Sequence, residues 1–143
     1  MSQMNSVAMQ SGKLHVKQID IPTPGPGQVL VKSLACGICG SDIHITRHTN
    51  DVFDIYKNLG IMAKEAGDDQ EVLLGHEYAA EIVSYGPNTK GELAKGTRVT
   101  SVPILLSAGG AGVGVTPGLY GAYSKYFIVD EALLLPIPDA VPS

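Results

Sequence analysis

The feature that most narrows the folds open to this chain is the way its apolar runs are cut short. Leu14-His15-Val16-Lys17-Gln18-Ile19-Asp20 alternates apolar and polar for several positions, the period of a half-buried strand. It is then stopped by Pro22, Pro24, Gly25, Pro26 and Gly27. Proline fixes φ and removes a backbone donor, so this stretch is a turn and not the inside of a sheet. Val29 to Leu34 is apolar on both faces except at Lys32, which predicts a central strand. Tyr78 to Tyr85, halted by Gly86-Pro87-Asn88, reads as a further strand, as do Arg98 to Val102, Tyr123 to Val129 and Leu133 to Leu135. Many short strands separated by turn signals predict an all-β barrel or sandwich with one or two small helices. At 143 residues the chain suggests one domain. A domain of that size buries about two-thirds of its unfolded surface and needs no disulfide framework.

One segment has a different period. Val52, Ile55, Tyr56, Leu59, Met62, Ala63 and Ala66 recur at three- and four-residue steps, which predicts a surface helix with one buried face over Asn50 to Ala66. Asn50 caps its start, Asp51 and Asp54 suit the positive end of the dipole, and Gly67 ends it. From Val99 to Ser124 there is no charged residue, a length that spans a bilayer. Its six glycines, two prolines and hydroxyl residues instead predict a buried strand, a glycine-rich loop and a second strand. Within it, Ala108-Gly109-Gly110-Ala111-Gly112-Val113-Gly114-Val115 fits no G-x-G-x-x-G register. Pro117 and Gly118 follow where a dinucleotide-binding unit needs a helix, so the stretch reads as a flexible loop.

The net charge of −4 argues against nucleic acid or an anionic membrane as partner. Met1 to Met9 shows no basic start and no continuous apolar core, so no signal peptide is expected. With two closely spaced cysteines, a reducing, cytoplasmic location is the expectation.

The chemistry concentrates in Ala35-Cys36-Gly37-Ile38-Cys39-Gly40-Ser41-Asp42-Ile43-His44, directly after the central strand, and in Gly75-His76-Glu77, after Val72-Leu73-Leu74. A thiolate, an imidazole and a carboxylate brought together by folding make a zinc site. Cys36-x-x-Cys39 as a redox pair wants a thioredoxin-type strand–helix unit, and as half of a zinc ribbon it wants a second C-x-x-C; neither is present. A mixed site with His76 remains.

These two motifs resemble the zinc-containing alcohol dehydrogenases of the medium-chain dehydrogenase/reductase superfamily. Pro24-Gly25-Pro26-Gly27-Gln28-Val29-Leu30-Val31, Lys95-Gly96-Thr97-Arg98-Val99 and Gly121-Ala122-Tyr123-Ser124-Lys125-Tyr126-Phe127 resemble further family segments, so the likeness covers nearly the whole chain. It implies a GroES-like catalytic domain, a mainly β, partly open barrel with one or two short helices. It implies Cys39 and His76 as ligands of one catalytic zinc, with Glu77 as the adjacent carboxylate. Asp42 would orient the ligand histidine, and Ser41 and His44 would relay the alcohol proton to solvent. Cys36 matches no ligand position and is expected in the core. His15 and His48 have no motif support and read as surface residues.

The resemblance further implies hydride transfer between an alcohol or carbonyl substrate and NAD or NADP. The dinucleotide would be bound mainly by a Rossmann domain absent from this chain, and the full-length protein would be a homo-oligomer. Residues 1–143 are thus expected to be the N-terminal half of a longer dehydrogenase and inactive alone, with the nucleotide-binding half beginning at about Pro138 to Ser143. Departures from the family pattern are clear. Pro103 to Gly118 holds no cysteine, so no structural zinc is expected. Gly40 stands where some members carry a basic residue facing the cofactor pyrophosphate, and Ala80 where the signature has glycine. His76 lies unusually far from Cys39 because the helical stripe is inserted between them, and that helix is expected at the mouth of the zinc cleft. Two rival readings are a stand-alone GroES-like binding module without metal chemistry and a zinc-free reductase of the same superfamily. Neither needs the Cys39, His76 and Glu77 set.

Overall fold

A computed structural model describes residues 2–65, 67 and 69–142. Met1 and Ser143, the ends of the expected domain, and Ala66, the expected helix end, lie outside the described residues. In chain order the strands are β1 (Gln3–Gln10), β2 (Lys13–Asp20), β3 (Gln28–Cys36), β4 (Val72–Leu73), β5 (Tyr78–Tyr85), β6 (Arg98–Ser101), β7 (Ile104–Leu105), β8 (Ala111–Gly112), β9 (Tyr126–Asp130) and β10 (Leu134–Pro136). Two helices, α1 (Gly40–Arg47) and α2 (Thr49–Asn58), separate β3 from β4.

The apolar run at Val29 to Leu34 becomes the middle of the larger sheet, as its two-sided hydrophobicity demands. That sheet has the order β10-β6-β5-β3-β9, and β3 pairs antiparallel with both β5 and β9. Val29, Val31, Ala80, Ile82, Val99, Phe127 and Val129 are buried in its core. Tyr78 belongs there too: its ring meets Phe127 edge to face, with centroids 4.6 Å apart, and its hydroxyl bonds Ser101 Oγ at 2.7 Å. A second sheet, β2-β1-β4, carries both helices. Ile45 of α1 and Phe53 of α2 pack with Met9, Met62, Val72 and Leu74 into a separate core. A β7–β8 hairpin stands apart. The arrangement is mainly β, open and unclosed, with two short helices; the strand and turn pattern predicts its β content and small helices, and the family resemblance implies its openness.

Three local expectations are corrected. The strand at β2 is not half-buried: it is an edge strand paired only with β1, and Leu14 and Val16 are 58% and 69% exposed. The buried member of that pair is β1, where Met4, Ser6, Ala8 and Met9 face inward. The helix predicted to run to Ala66 stops at Asn58. Gly60 takes φ +73°, and the Ile61 and Met62 amides fold back onto the Tyr56 carbonyl at 2.9 and 3.2 Å, a left-handed helix stop. Its start is capped by His48, not Asn50. The glycine-rich stretch read as a loop is largely the β7–β8 hairpin, with Val113 fully buried behind it.

The two sheets meet where backbone touches backbone. Leu74 N donates to Val7 O, Tyr123 N to Leu74 O and Ala122 N to Gly75 O, at 3.2, 3.1 and 2.9 Å. The hydroxyls of Ser6 and Ser124 close the same seam at 2.6 Å. A Cβ on Gly121 would overlap the Leu73 and Leu74 carbonyls, and one on Gly75, at φ +103°, would sit 2.5 Å from Tyr123 N. Gly75→Ala should therefore cost about 2–4 kcal/mol, from left-handed strain plus overpacking. Gly91→Ala, also at positive φ but with open space around it, should cost only about 1 kcal/mol. Urea unfolding of the two variants checks this; equal losses would show that the close approach carries no weight.

Candidate metal centre

The chain leaves β3 at Cys36 and is drawn at once to the loop after β4. Gly37 N donates to Glu77 O at 2.7 Å, and a Cβ on Gly37 would meet Glu77 Oε2 at 2.8 Å. The absence of a side chain at Gly37 thus leaves room for the Glu77 carboxylate to lie against it. Cys39 is extended, with φ −76° and ψ 152°, and forms the N-cap of α1. Asp42, in the first turn, accepts a hydrogen bond from Cys39 N at 2.9 Å. A carboxylate at a helix start suits the positive end of the dipole and satisfies an orphan amide.

His76 is anchored from the other side by the seam around Gly75. Its Nδ1 lies 3.5 Å from Asp42 Oδ1, and its Nε2 lies 3.1 Å from Ser41 Oγ. With Nδ1 facing a carboxylate, the favoured tautomer carries its proton there, so the Ser41 hydroxyl donates to Nε2. Cys39, His76 and Glu77 converge: one ligand atom from each lies within 4.8 Å of the others. Cys39 and His76 are half-buried and Glu77 is exposed. The carboxylate of Asp42 is buried, and its second oxygen, Oδ2, takes a further hydrogen bond of 2.9 Å from the Tyr123 hydroxyl. That hydroxyl also lies 3.0 Å from the Gly37 carbonyl. Burial and the facing Asp42 carboxylate push the Tyr123 phenol far above its usual range, so it stays a protonated donor.

The remaining candidates are placed less centrally. His44 is exposed one turn along α1 from Ser41, with its ring 5.7 Å from that of His48. Among the described residues the Ser41 hydroxyl bonds His76 and not His44. Cys36 stands outside the cluster and packs half-buried against the main core; burial raises its thiol pKa. His15 is exposed and bonds Glu71 at 2.9 Å. Beside His76 opens a cavity of about 220 Å³ between Tyr56 and Ile61 on one side and Pro103, Ile104 and Val115 on the other. Burial, followed by the nearby Asp42 and Cys39 charges, raises the Tyr56 phenol above its usual range.

Two of these residues are not foreseen from the sequence. Tyr123 reads there as a strand residue, and only its place in the Gly121–Phe127 segment marked it at all. Tyr56 reads as one apolar position of a helical stripe, and nothing local says that the stripe faces His76.

The alcohol dehydrogenase GroES-like domain family matches residues 25–139. The chain is 29% identical over 140 residues to an L-threonine 3-dehydrogenase of Xanthomonas axonopodis pv. citri, covering 90% of this chain and 37% of that protein. It is 31% identical over 136 residues to an (R,R)-butanediol dehydrogenase of Bacillus subtilis, covering 88% and 38%. A crystal structure provisionally described as a zinc-binding dehydrogenase from Sinorhizobium meliloti 1021, bound to NADP, superposes with a TM-score of 0.73 at 27% identity, covering 99% of this chain and 40% of that one. The chain therefore spans well under half the length of these proteins.

Removing the Tyr123 hydroxyl tests the geometry directly. Tyr123→Phe takes a donor from a buried carboxylate and should cost about 1–3 kcal/mol in urea unfolding. The high-pH limb of the tyrosine absorbance titration should lose one late-titrating phenol. A variant as stable as the parent would mean that the Asp42 bond is not formed in solution.

Proposed function

The chain belongs to the alcohol dehydrogenase GroES-like domain family, and on that premise we propose that it is the catalytic-domain portion of a zinc-dependent alcohol dehydrogenase moving a hydride from an alcohol to NAD or NADP. The observation that carries the reading is the convergence of Cys39, His76 and Glu77 on one point. Thiolate, imidazole and carboxylate are the three ligand types zinc takes, and atoms sharing one tetrahedral zinc lie about 3.3–3.8 Å apart. From a spread of up to 4.8 Å, side-chain rotations that close it by about 1 Å bring the three atoms to that spacing.

A second feature fits the same ion. Asp42 Oδ1 and His76 Nδ1 are both buried and neither has a hydrogen-bond partner. They face each other across 3.5 Å, and a closure of about half an ångström makes a hydrogen bond. With His76 as a ligand through Nε2, the Nδ1–H tautomer would be fixed and that closure favoured, the usual carboxylate–histidine support of a ligand. Ser41 would then give up its bond to Nε2.

Bound zinc polarises an alcohol oxygen and makes its proton easier to lose. The chain's own residues do the rest. Cys39, His76 and Glu77 would hold the ion, and Asp42 would fix the ring of His76. The Ser41 hydroxyl, released from Nε2, would accept the alcohol proton while handing its own proton on to His44. His44, exposed one turn along α1, would pass a proton to solvent. Among the described residues every strand pairing is antiparallel, so no parallel βαβ unit of the dinucleotide-binding kind is formed, and we assign the dinucleotide mainly to a separate Rossmann domain of the full-length protein. The names of the relatives support an alcohol or carbonyl substrate, and the NADP-bound structure supports a dinucleotide acceptor. No helix among the described residues is long and apolar enough to cross a membrane, and we assign the protein to the cytoplasm as a homo-oligomer.

Zinc per chain, measured by plasma emission after dialysis, should be near one for the parent and near zero for Cys39→Ser combined with His76→Ala. Asp42→Asn should weaken zinc binding by about 10–100-fold. A double variant that keeps its zinc would overturn the site assignment.

A further inference from the structure

The helix-bearing insertion between the two motifs brings Tyr56 and Ile61 to the cavity that shares His76 with the metal centre. Both are firmly held. The Tyr56 carbonyl accepts the Ile61 and Met62 amides, and Thr116 Oγ1 donates to Ile61 O at 3.1 Å, which ties the insertion to the segment after the β7–β8 hairpin. A Cβ on Gly112 would overlap Val115 and press on Ile61 Cγ2 at 3.3 Å, so glycine there lets the two walls meet. At about 220 Å³ the space falls below the ~300 Å³ at which ordinary ligand pockets begin.

The lining sets the chemistry. Apart from His76 and the phenol of Tyr56, the walls are aliphatic side chains, proline and glycine. No Asp, Glu, Lys or Arg lines this space, so an ammonium or carboxylate on the arm that enters it loses its water without an ion-pair partner at the wall, a cost far larger than a short alkyl arm incurs. Among the described residues the Tyr56 hydroxyl has no hydrogen-bond partner, so it is free to serve a ligand.

We propose that this cavity is the substrate pocket of the zinc site, and that Tyr56 is its specificity-determining residue. It selects a short, uncharged alcohol whose non-reacting arm carries a second hydroxyl or carbonyl oxygen. The proposal rests on the zinc alcohol dehydrogenase reading above. The aliphatic walls take the carbon frame, the Tyr56 hydroxyl meets the second oxygen, and zwitterionic amino acids are refused.

The test uses the zinc-loaded, full-length protein and three secondary alcohols sharing a four-carbon frame: butan-2-ol, butane-2,3-diol and L-threonine. The diol should exceed L-threonine in kcat/KM by at least 100-fold. Tyr56→Phe should lower kcat/KM for the diol by about tenfold and leave butan-2-ol within about twofold, the effect of one lost hydrogen bond. Val115→Phe, which fills the cavity, should lower both alcohols by more than tenfold with zinc per chain unchanged. Threonine turned over as well as the diol, or equal losses for diol and mono-alcohol in Tyr56→Phe, would overturn the proposal. Saturation-transfer NMR of butane-2,3-diol without dinucleotide reads the pocket apart from turnover. A signal weakened by Tyr56→Phe and abolished by Val115→Phe supports the pocket, and a signal unchanged in both overturns it. Binding that behaves as expected, with no alcohol oxidised, would instead count against the dehydrogenase reading.

Discussion

The corner that holds the candidate metal centre hangs on the carboxylate of Asp42. It is only 6% exposed, and a buried carboxylate must find donors or be expelled or neutralised. It draws its donors from separate parts of the chain, Cys39 N at the start of α1 and Tyr123 OH beyond the sheet seam, while the ring of His76 after β4 faces its other oxygen across 3.5 Å. Each contact ties a different segment to that corner, beside the backbone seam that brings residues 74–76 and 121–124 together. The helix cap places the Cys39 thiol, the phenol holds the 121–124 segment and reaches the Gly37 carbonyl, and the imidazole is turned so that Nε2 points at Ser41. The glycines at 75 and 121 make the meeting possible, because a Cβ at either would strike the backbone of the opposing segment.

Much of this is written plainly in the sequence and some is not, and the difference has physical reasons. β3 and β5 are legible because they are rich in β-branched and aliphatic residues and bounded by glycine and proline. The two motifs are legible because thiol, imidazole and carboxylate clusters are chemically distinctive. β1 passes unnoticed because its inward residues, Met4, Ser6, Ala8 and Met9, are weak strand formers held by their partners. β2 misleads in the opposite sense, since alternation predicts two unlike faces but not which one the fold covers. The helix overruns in sequence because the apolar stripe continues past Gly60, whereas the chain turns there and Met62 joins the helix core from a loop. Tyr56 and Tyr123 matter through partners far away in sequence, which no local pattern encodes.

The two cores divide the labour of the fold. The five-stranded sheet buries its valines, Ile82 and Phe127 without help from the insertion. The smaller core exists because Ile45 and Phe53 bring α1 and α2 down onto β1 and β4. Tyr123 and Tyr56 both pack against that smaller core, while the Tyr123 hydroxyl bonds Asp42 and Tyr56 shares a cavity wall with His76. An amphipathic ring suits such a place, apolar along its body and polar at its tip. A change in the insertion is therefore felt at the cavity wall before it is felt in the larger sheet.

The bond between Asp42 and Tyr123 closes a span of 81 positions, and the Ser6–Ser124 pair one of 118. Contacts so distant along the chain pay their loop-closure entropy before any reward arrives, and such topologies fold slowly. During synthesis, which runs N-terminus first, the thiol of Cys39 and the carboxylate of Asp42 emerge well before the phenol that will hold their corner in place. Until residue 124 has left the ribosome the corner cannot close, and both cysteines meet the surrounding metals and oxidants on a chain still unsealed.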